Sequence, residues 1–374
     1  MKNKLYLIIL SSILFVGWGK TGHKIINQKS IESFPNEIFF LTAWSNVLIE
    51  HASDADNRKS SDPTESPKHY IDIDEYSEFV STGKIIEDYD SLVAKYGEEK
   101  IIDRGLLPWA IISTCETLKA AFENKDWDKA MLLAADLGHY VADAHMPLHI
   151  TTNYNGQLTN QSGVHSRYES TMIGNYSSQI IYSGIQSEYI SDIPNYVFDF
   201  IYYNYRFVDS VLIADKESKA IASGSYNSTY YENLWKKTKG FTTKLFSNAS
   251  YRLSGLIYTC WVNAGSPTIV GIEEEFKELN SFELFQNYPN PFNPSTTIKY
   301  SVPSNVKREM SNVKIIVCDI LGNEVATLVD ENKPAGYFEI KFNVEQTSSL
   351  SSGIYFYTLK VGSFSETKKM ILMK

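Results

Sequence analysis

Asp136-Leu-Gly-His-Tyr-Val-Ala-Asp-Ala-His-Met-Pro-Leu-His149 is the densest run of potential metal ligands in the 374-residue chain. It continues Asp128 to Ala135, where Ala-Met-Leu-Leu-Ala-Ala predicts helix because these are strong helix formers with no breaker among them. On that helix His139 and Asp143 stand one turn apart on one face, so an imidazole nitrogen and a carboxylate can reach a single cation. Pro147 cannot continue the helix and turns His149 toward a neighbouring position.

Outward from this stretch the pattern repeats. Gly-Val-His-Ser-Arg-Tyr-Glu places His165 and Glu169 at the same four-residue step. Upstream, His51-Ala-Ser-Asp-Ala-Asp-Asn-Arg58 and Pro67-Lys-His-Tyr-Ile-Asp-Ile-Asp74 flank a polar loop containing Pro63. Asp56 and His69 are the expected ligands there, whereas Asp54, Asp72 and Asp74 are read as caps, hydrogen-bonding groups or solvent-facing carboxylates. All seven histidines lie between His23 and His165, so metal chemistry belongs to the first half. A lone His–Asp pair on a helix is usually a surface ion pair; several in one region are not. Mixed nitrogen and oxygen donors suit zinc, and this many carboxylates suit more than one ion.

The remainder sets the frame. A net charge of −9 argues against a broad basic surface for duplex nucleic acid. Cys115, Cys260 and Cys318 are too few and too scattered for a disulfide framework or a CxxC site, and are read as buried thiols. Lys2 and Lys4 precede the apolar run Leu5 to Val16, so residues 1–17 read as a secretory signal ending at Gly17, too short to span a bilayer. Helices are expected over 193–213, 226–240 and 242–264, their aromatic stripes serving as core. Near residue 266 the character changes to a linker, 266–281. The tail 282–374 opens with a Pro/Asn-rich segment and continues as short strand-like runs at 296–302, 313–319, 324–329, 336–342, 353–361 and 364–373, which predict a small β-sandwich.

Trp18-Gly-Lys-Thr-Gly-His23, Asp56, His69, His139-x3-Asp143-x5-His149 and His165-x3-Glu169 together resemble the bacterial zinc-dependent phospholipase C family and the related fungal single-strand-specific zinc nucleases, over residues 18 to 265. The resemblance implies a mainly helical catalytic domain holding three zinc ions. It assigns Asp56, His69, His139 and Asp143 to the first zinc and His149, His165 and Glu169 to the second. Trp18, through its amino group and carbonyl oxygen, joins His23 and a bridging Asp143 at the third, which requires removal of the signal. Phosphodiester hydrolysis then needs no nucleophilic Ser or Cys, and no Gly-x-Ser-x-Gly elbow is present. Asp56 is given a further role on the attacking water, His145 a supporting or packing role, and His51 a structural one.

Glu169 and the His-Ser-Arg-Tyr-Glu form favour the phospholipase branch, with a phospholipid substrate, transient contact with a membrane surface and a monomeric enzyme expected. A single-strand nuclease or nucleotidase remains the alternative, and a non-catalytic surface adhesin that keeps the metal core is a third reading. In the tail, Asn287-Tyr-Pro-Asn-Pro-Phe-Asn-Pro294, Asp319-Ile-Leu-Gly-Asn-Glu-Val, Pro334-Ala-Gly and Ser352-Gly-Ile-Tyr-Phe-Tyr resemble the C-terminal sorting domain of the type IX secretion system. That implies contact with the secretion machinery and passage through the periplasm and outer membrane to the surface or beyond.

Overall fold

A computed structural model of the chain describes residues 19–182, 184–268, 282–287, 289–303, 311–333, 336–344 and 350–373. The expected signal 1–17, the expected ligand Trp18 and most of the expected linker lie outside the described residues. The chain divides into two compact units, Met1–Pro267 and Thr268–Lys374.

The first unit is helical. Its axis is the helix Trp127–Asp143, whose first turn is capped by the Asp126 side chain accepting from the Lys129 amide at 3.2 Å. Every residue from Leu137 to Asp143 is buried, so the last two turns run through the core. The helix ends four residues before Pro147, and a short 3-10 turn, Pro147–His149, carries the chain on. The amino-terminal helix Gly19–Ser30 packs across it. A Cβ at Gly138 would lie 2.0 Å from Asn27 Oδ1, so the absence of a side chain there permits the approach. The buried Asn27 amide donates to the carbonyls of Leu48 (2.9 Å) and Ala135 (3.3 Å), tying three helical segments together.

All three helices expected beyond residue 190 come out differently. The expected 193–213 helix is split into Ile193–Tyr205 and Val208–Ile221. The break falls where the buried Asn204 donates to the Ala144 carbonyl (2.9 Å) and Phe207 stacks on Phe241, so packing contacts outrank helix propensity. The expected 226–240 and 242–264 helices are instead one, Ser228–Asn263. Gly240 costs about 1 kcal/mol within a helix, but Leu234, Trp235 and Thr238 before it and Leu245, Phe246 and Ala249 after it are all buried and carry the helix through.

The second unit is two antiparallel sheets. Strands β1 (Glu283–Leu284), β2 (Ser295–Val302) and β5 (Gly336–Asn343) form one, in the order β1-β2-β5. Strands β3 (Ser311–Cys318), β4 (Glu324–Lys333), β6 (Gly353–Val361) and β7 (Phe364–Leu372) form the other, in the order β4-β3-β6-β7. Alternation fills the space between them: Ile298, Tyr300 and Val302 from β2 join Val313, Ile315 and Val317 from β3 and Tyr357, Leu359 and Val361 from β6 in one core. All six expected strands are present, and β1 is an addition that the two-residue run Glu283–Leu284 was too short to announce.

Candidate metal centre

The buried end of helix Trp127–Asp143 brings His139 and Asp143 to the middle of the unit, and residues from four other segments converge on them. His69 Nδ1 lies 2.9 Å from Asp143 Oδ2 and 3.7 Å from Asp56 Oδ1. His139 Nε2 lies 3.3 Å from Asp143 Oδ2 and 3.7 Å from Asp56 Oδ1. His23, from the amino-terminal helix, stacks on His139 with ring centroids 3.8 Å apart and places Nε2 3.5 Å from Asp143 Oδ1. A second cluster forms where His149 Nε2, His165 Nε2 and Glu169 Oε2 meet: 3.2 Å between the imidazoles, 3.1 Å from His165 to Glu169 and 3.5 Å from His149 to Glu169. His149 Nδ1 is also 3.3 Å from Asp143 Oδ1, so Asp143 stands between the two clusters.

Three groups of potential ligand atoms result, each within 4.8 Å: His23, Asp56 and His139; His69, His139 and Asp143; His149, His165 and Glu169. All eight described site residues expected from the sequence are thus brought together. The buried His/Asp clusters can bind metal.

The polar surroundings decide which atoms face inward. His139 Nδ1 donates to the Ala52 carbonyl (2.8 Å), His149 Nδ1 to the His69 carbonyl (2.8 Å) and His165 Nδ1 to the Tyr154 carbonyl (3.2 Å). Each bond commits the Nδ1 proton, so Nε2 is the nitrogen turned toward the cluster and available to a cation. His69 is turned the other way, Nδ1 inward and Nε2 3.5 Å from the buried carboxylate of Glu65. Glu65 is itself hydrogen-bonded to Tyr140 and paired with Lys68 at 3.0 Å and Arg58 at 3.4 Å. These neighbours outweigh the opposing effect of burial and hold its carboxyl far below the usual range.

Charge balance points to cations. Burial alone would raise the Asp143 carboxyl, yet His149 and His139 beside it hold it well below the ordinary carboxylate value. Asp56 is likewise lowered against burial, by His139, His23 and Lys59, whose Nζ is 2.7 Å away. The stacked imidazoles divide the charge. Burial and the His139 neighbour push His23 down to about 3, whereas Asp143 and Asp56 overcome burial to lift His139 to about 9. Even so, Asp56 Oδ2, Asp143 Oδ1, Glu169 Oε2 and both ring nitrogens of His23 are buried with no hydrogen-bond partner among the described residues. Uncompensated buried polar atoms cost about 1–3 kcal/mol each, and a donor set of nitrogen and carboxylate oxygen fits a bound cation and suits zinc.

Several residues have roles that the sequence reading did not assign. Arg167, between His165 and Glu169, is buried, with Nε and Nη2 on Asp215 Oδ1 (3.0 and 2.9 Å) and Nη groups on the carbonyls of Ser162 and Gln161. It fixes the turn Arg167–Met172, which is a π-helix, and so sets where Glu169 points. Asp72, expected to cap, hydrogen-bond or face water, lines a cavity of about 100 Å³ with His69, His149 and His165, beside Tyr70, Leu148 and Tyr154. Burial and the neighbouring Asp74 and Glu75 raise its carboxyl to about 7. Asp74 holds the segment after His149, accepting from Thr151 Oγ1 (2.6 Å) and the Thr152 amide (2.8 Å). Asp54 pairs with the half-buried His51 at 2.6 Å. His145 joins no cluster; it donates to the Val141 carbonyl and stacks on Phe200, a packing role.

Residues 286–373 match the secretion system C-terminal sorting domain. This domain marks proteins that the type IX system delivers to the cell surface or extracellular space. A probable serine protease of Bradyrhizobium tropiciagri is 26% identical over 161 residues, covering 32% of this chain and 20% of that protein. The chain therefore spans a fifth of that relative's length. Similar solved structures include the alpha-toxin of Clostridium absonum (TM-score 0.41, 10% identity, 94% of this chain and 96% of that one) and the Clostridium perfringens alpha-toxin of avian strain SWCP (TM-score 0.44, 9% identity, 96% and 99%). Among the described residues no helix is long and apolar enough to cross a membrane.

Proposed function

We propose that the helical unit is a trizinc phosphodiester hydrolase of the phospholipase C type, acting on the glycerol–phosphate ester of phospholipids outside the cell. The observation that carries this reading is the convergence of five histidines and three carboxylates on one buried centre with orphaned acceptors facing inward. In it, Asp56, His69, His139 and Asp143 hold the first zinc and His149, His165 and Glu169 the second. His23 and Asp143 hold the third together with the amino group and carbonyl oxygen of Trp18. Bound zinc would supply charge stabilisation at the phosphoryl oxygens and a lowered pKa for water. The chain's own contribution is positional. Asp56 Oδ2 orients the attacking water and accepts its proton, and Lys59 holds the other carboxylate oxygen.

A single-strand nuclease is the second reading, favoured by Tyr70 and Tyr154 in the cavity beside the cluster, since tyrosines there offer stacking faces to a base. The test is metal counting on the secreted protein together with parallel assays on phosphatidylcholine and single-stranded DNA. About three zinc ions per chain and phosphocholine release without nucleotide products are expected. One ion or none sinks the metal reading, and nucleotide products alone move the assignment to the nuclease. One residue left ahead of Trp18 should abolish the third ion, whereas Trp18→Phe should keep it.

A further inference from the structure

Cys115 lies midway along the helix Leu107–Glu123 and Cys260 in the last turn of the helix Ser228–Asn263, and these two helices pack against each other. Both thiols are buried, and both line one cavity of about 370 Å³ whose other walls include Ile112, Lys119 and Pro194. Cys260 is the strongest influence on the Cys115 thiol, as a hydrogen-bonding neighbour, followed by burial, and the two raise it well above the ordinary thiol value. Cys318, by contrast, belongs to the sorting domain. That domain marks proteins delivered to the cell surface or the extracellular space, which are compartments where neighbouring thiols are oxidised.

We propose that Cys115 and Cys260 are joined by a disulfide in the exported protein, stapling the long closing helix to the helix that precedes the metal-bearing one. The reaction is thiol–disulfide exchange with a disulfide-bearing oxidant of the cell envelope. One cysteine thiolate attacks a sulfur of the oxidant, forming a mixed disulfide and expelling one oxidant thiolate. The second cysteine thiolate then attacks the sulfur of the first cysteine, forming the Cys115–Cys260 bond and expelling the second oxidant thiolate. Both cysteines are oxidised, the oxidant's disulfide is reduced to a dithiol, and the cysteine protons pass through solvent to the expelled thiolates. Because buried thiols ionise poorly in the finished fold, the exchange takes place before the closing helix seats. The bridge closes a long loop and restrains the unfolded chain accordingly.

The test uses the full chain recovered from outside the cell, denatured with a thiol alkylator present and digested without reductant. A linked pair of peptides carrying Cys115 and Cys260, two hydrogens lighter than their sum and separating on reduction, is expected; complete alkylation of both cysteines overturns the proposal. As a second measurement, a phosphine reductant should lower the melting midpoint of the wild-type protein by about 5–10 °C and leave that of C115S/C260S unmoved. Equal responses of the two proteins would also overturn it.

Discussion

Glu65 Oε1 stands 3.5 Å from His69 Nε2, so the one inward-facing imidazole that presents Nδ1 is backed by a buried carboxylate instead of a backbone carbonyl. A carboxylate behind an imidazole fixes its tautomer and holds its ring. Glu65→Gln keeps the volume and removes the charge. It should weaken zinc binding at the first cluster by about 10–100-fold, read by competition with a chelator, with the second cluster's affinity unchanged.

Zinc binding should release protons. In the metal-free protein Asp143 and Asp56 overcome burial and lift His139 to about 9, so at pH 7 its ring is protonated and must lose that proton to act as a ligand. The same shift sets the sign for stability. The folded value lies above the unfolded value of about 6.5, so the contribution is complete below pH 6.5 and is lost as pH rises through about 9. Titration of metal-free protein with zinc in weak buffer should release His139's proton at pH 7 and not at pH 10. A proton yield independent of pH across that range would contradict the assignment.

Arg167→Met should be severely destabilising, because it leaves Asp215 buried without its cation. A broken buried pair costs about 3–5 kcal/mol, which thermal or denaturant unfolding would resolve. The double variant with Asp215→Asn should recover part of the loss, since it removes the orphaned charge. Zinc at the His149–His165–Glu169 cluster should be lost in the single variant before the protein unfolds.

In the sorting domain the fully buried Tyr357 donates to the Phe285 carbonyl (2.7 Å) and accepts from the Asn287 amide (2.7 Å), pinning the entry segment to β6. Tyr357→Ala removes a large core side chain, at a cost of about 3–5 kcal/mol, a large part of a small domain's stability. Cell fractionation should find the full-length protein retained in the periplasm, with zinc content of the helical unit unchanged.

What could be read from the sequence follows from the range of the forces involved. His139 and Asp143 were legible because helical geometry puts i and i+4 on one face, and Pro147 announced the helix end within a few residues. The six β-strands were legible for the same local reason, alternation with turn residues between. Glu65 was not, although His69 follows at the same four-residue step, since the segment is a short 3-10 turn and the buried carboxylate is held by Tyr140 from far along the chain. The place of Asp72 beside the clusters was not legible either, because the cavity it lines is closed by the chain segments carrying Leu148 and Tyr154, far away in sequence. Gly240 misled in the opposite direction, a local breaker overridden by the buried side chains on either side of it.

The spacing between clusters depends on a side chain that is not there. Asn27 and His23 share one helix, and Gly138 and His139 are adjacent on another, so the gap between those helices is also the gap between the two stacked imidazoles. A single methyl group at position 138 would meet Asn27 Oδ1 at 2.0 Å and Leu253 at 2.9 Å, forcing the amino-terminal helix outward. Gly138→Ala would therefore act as a wedge, stretching the cluster at the His23 end while sparing Glu169, and would grade the three proposed cation positions by their sensitivity to helix separation.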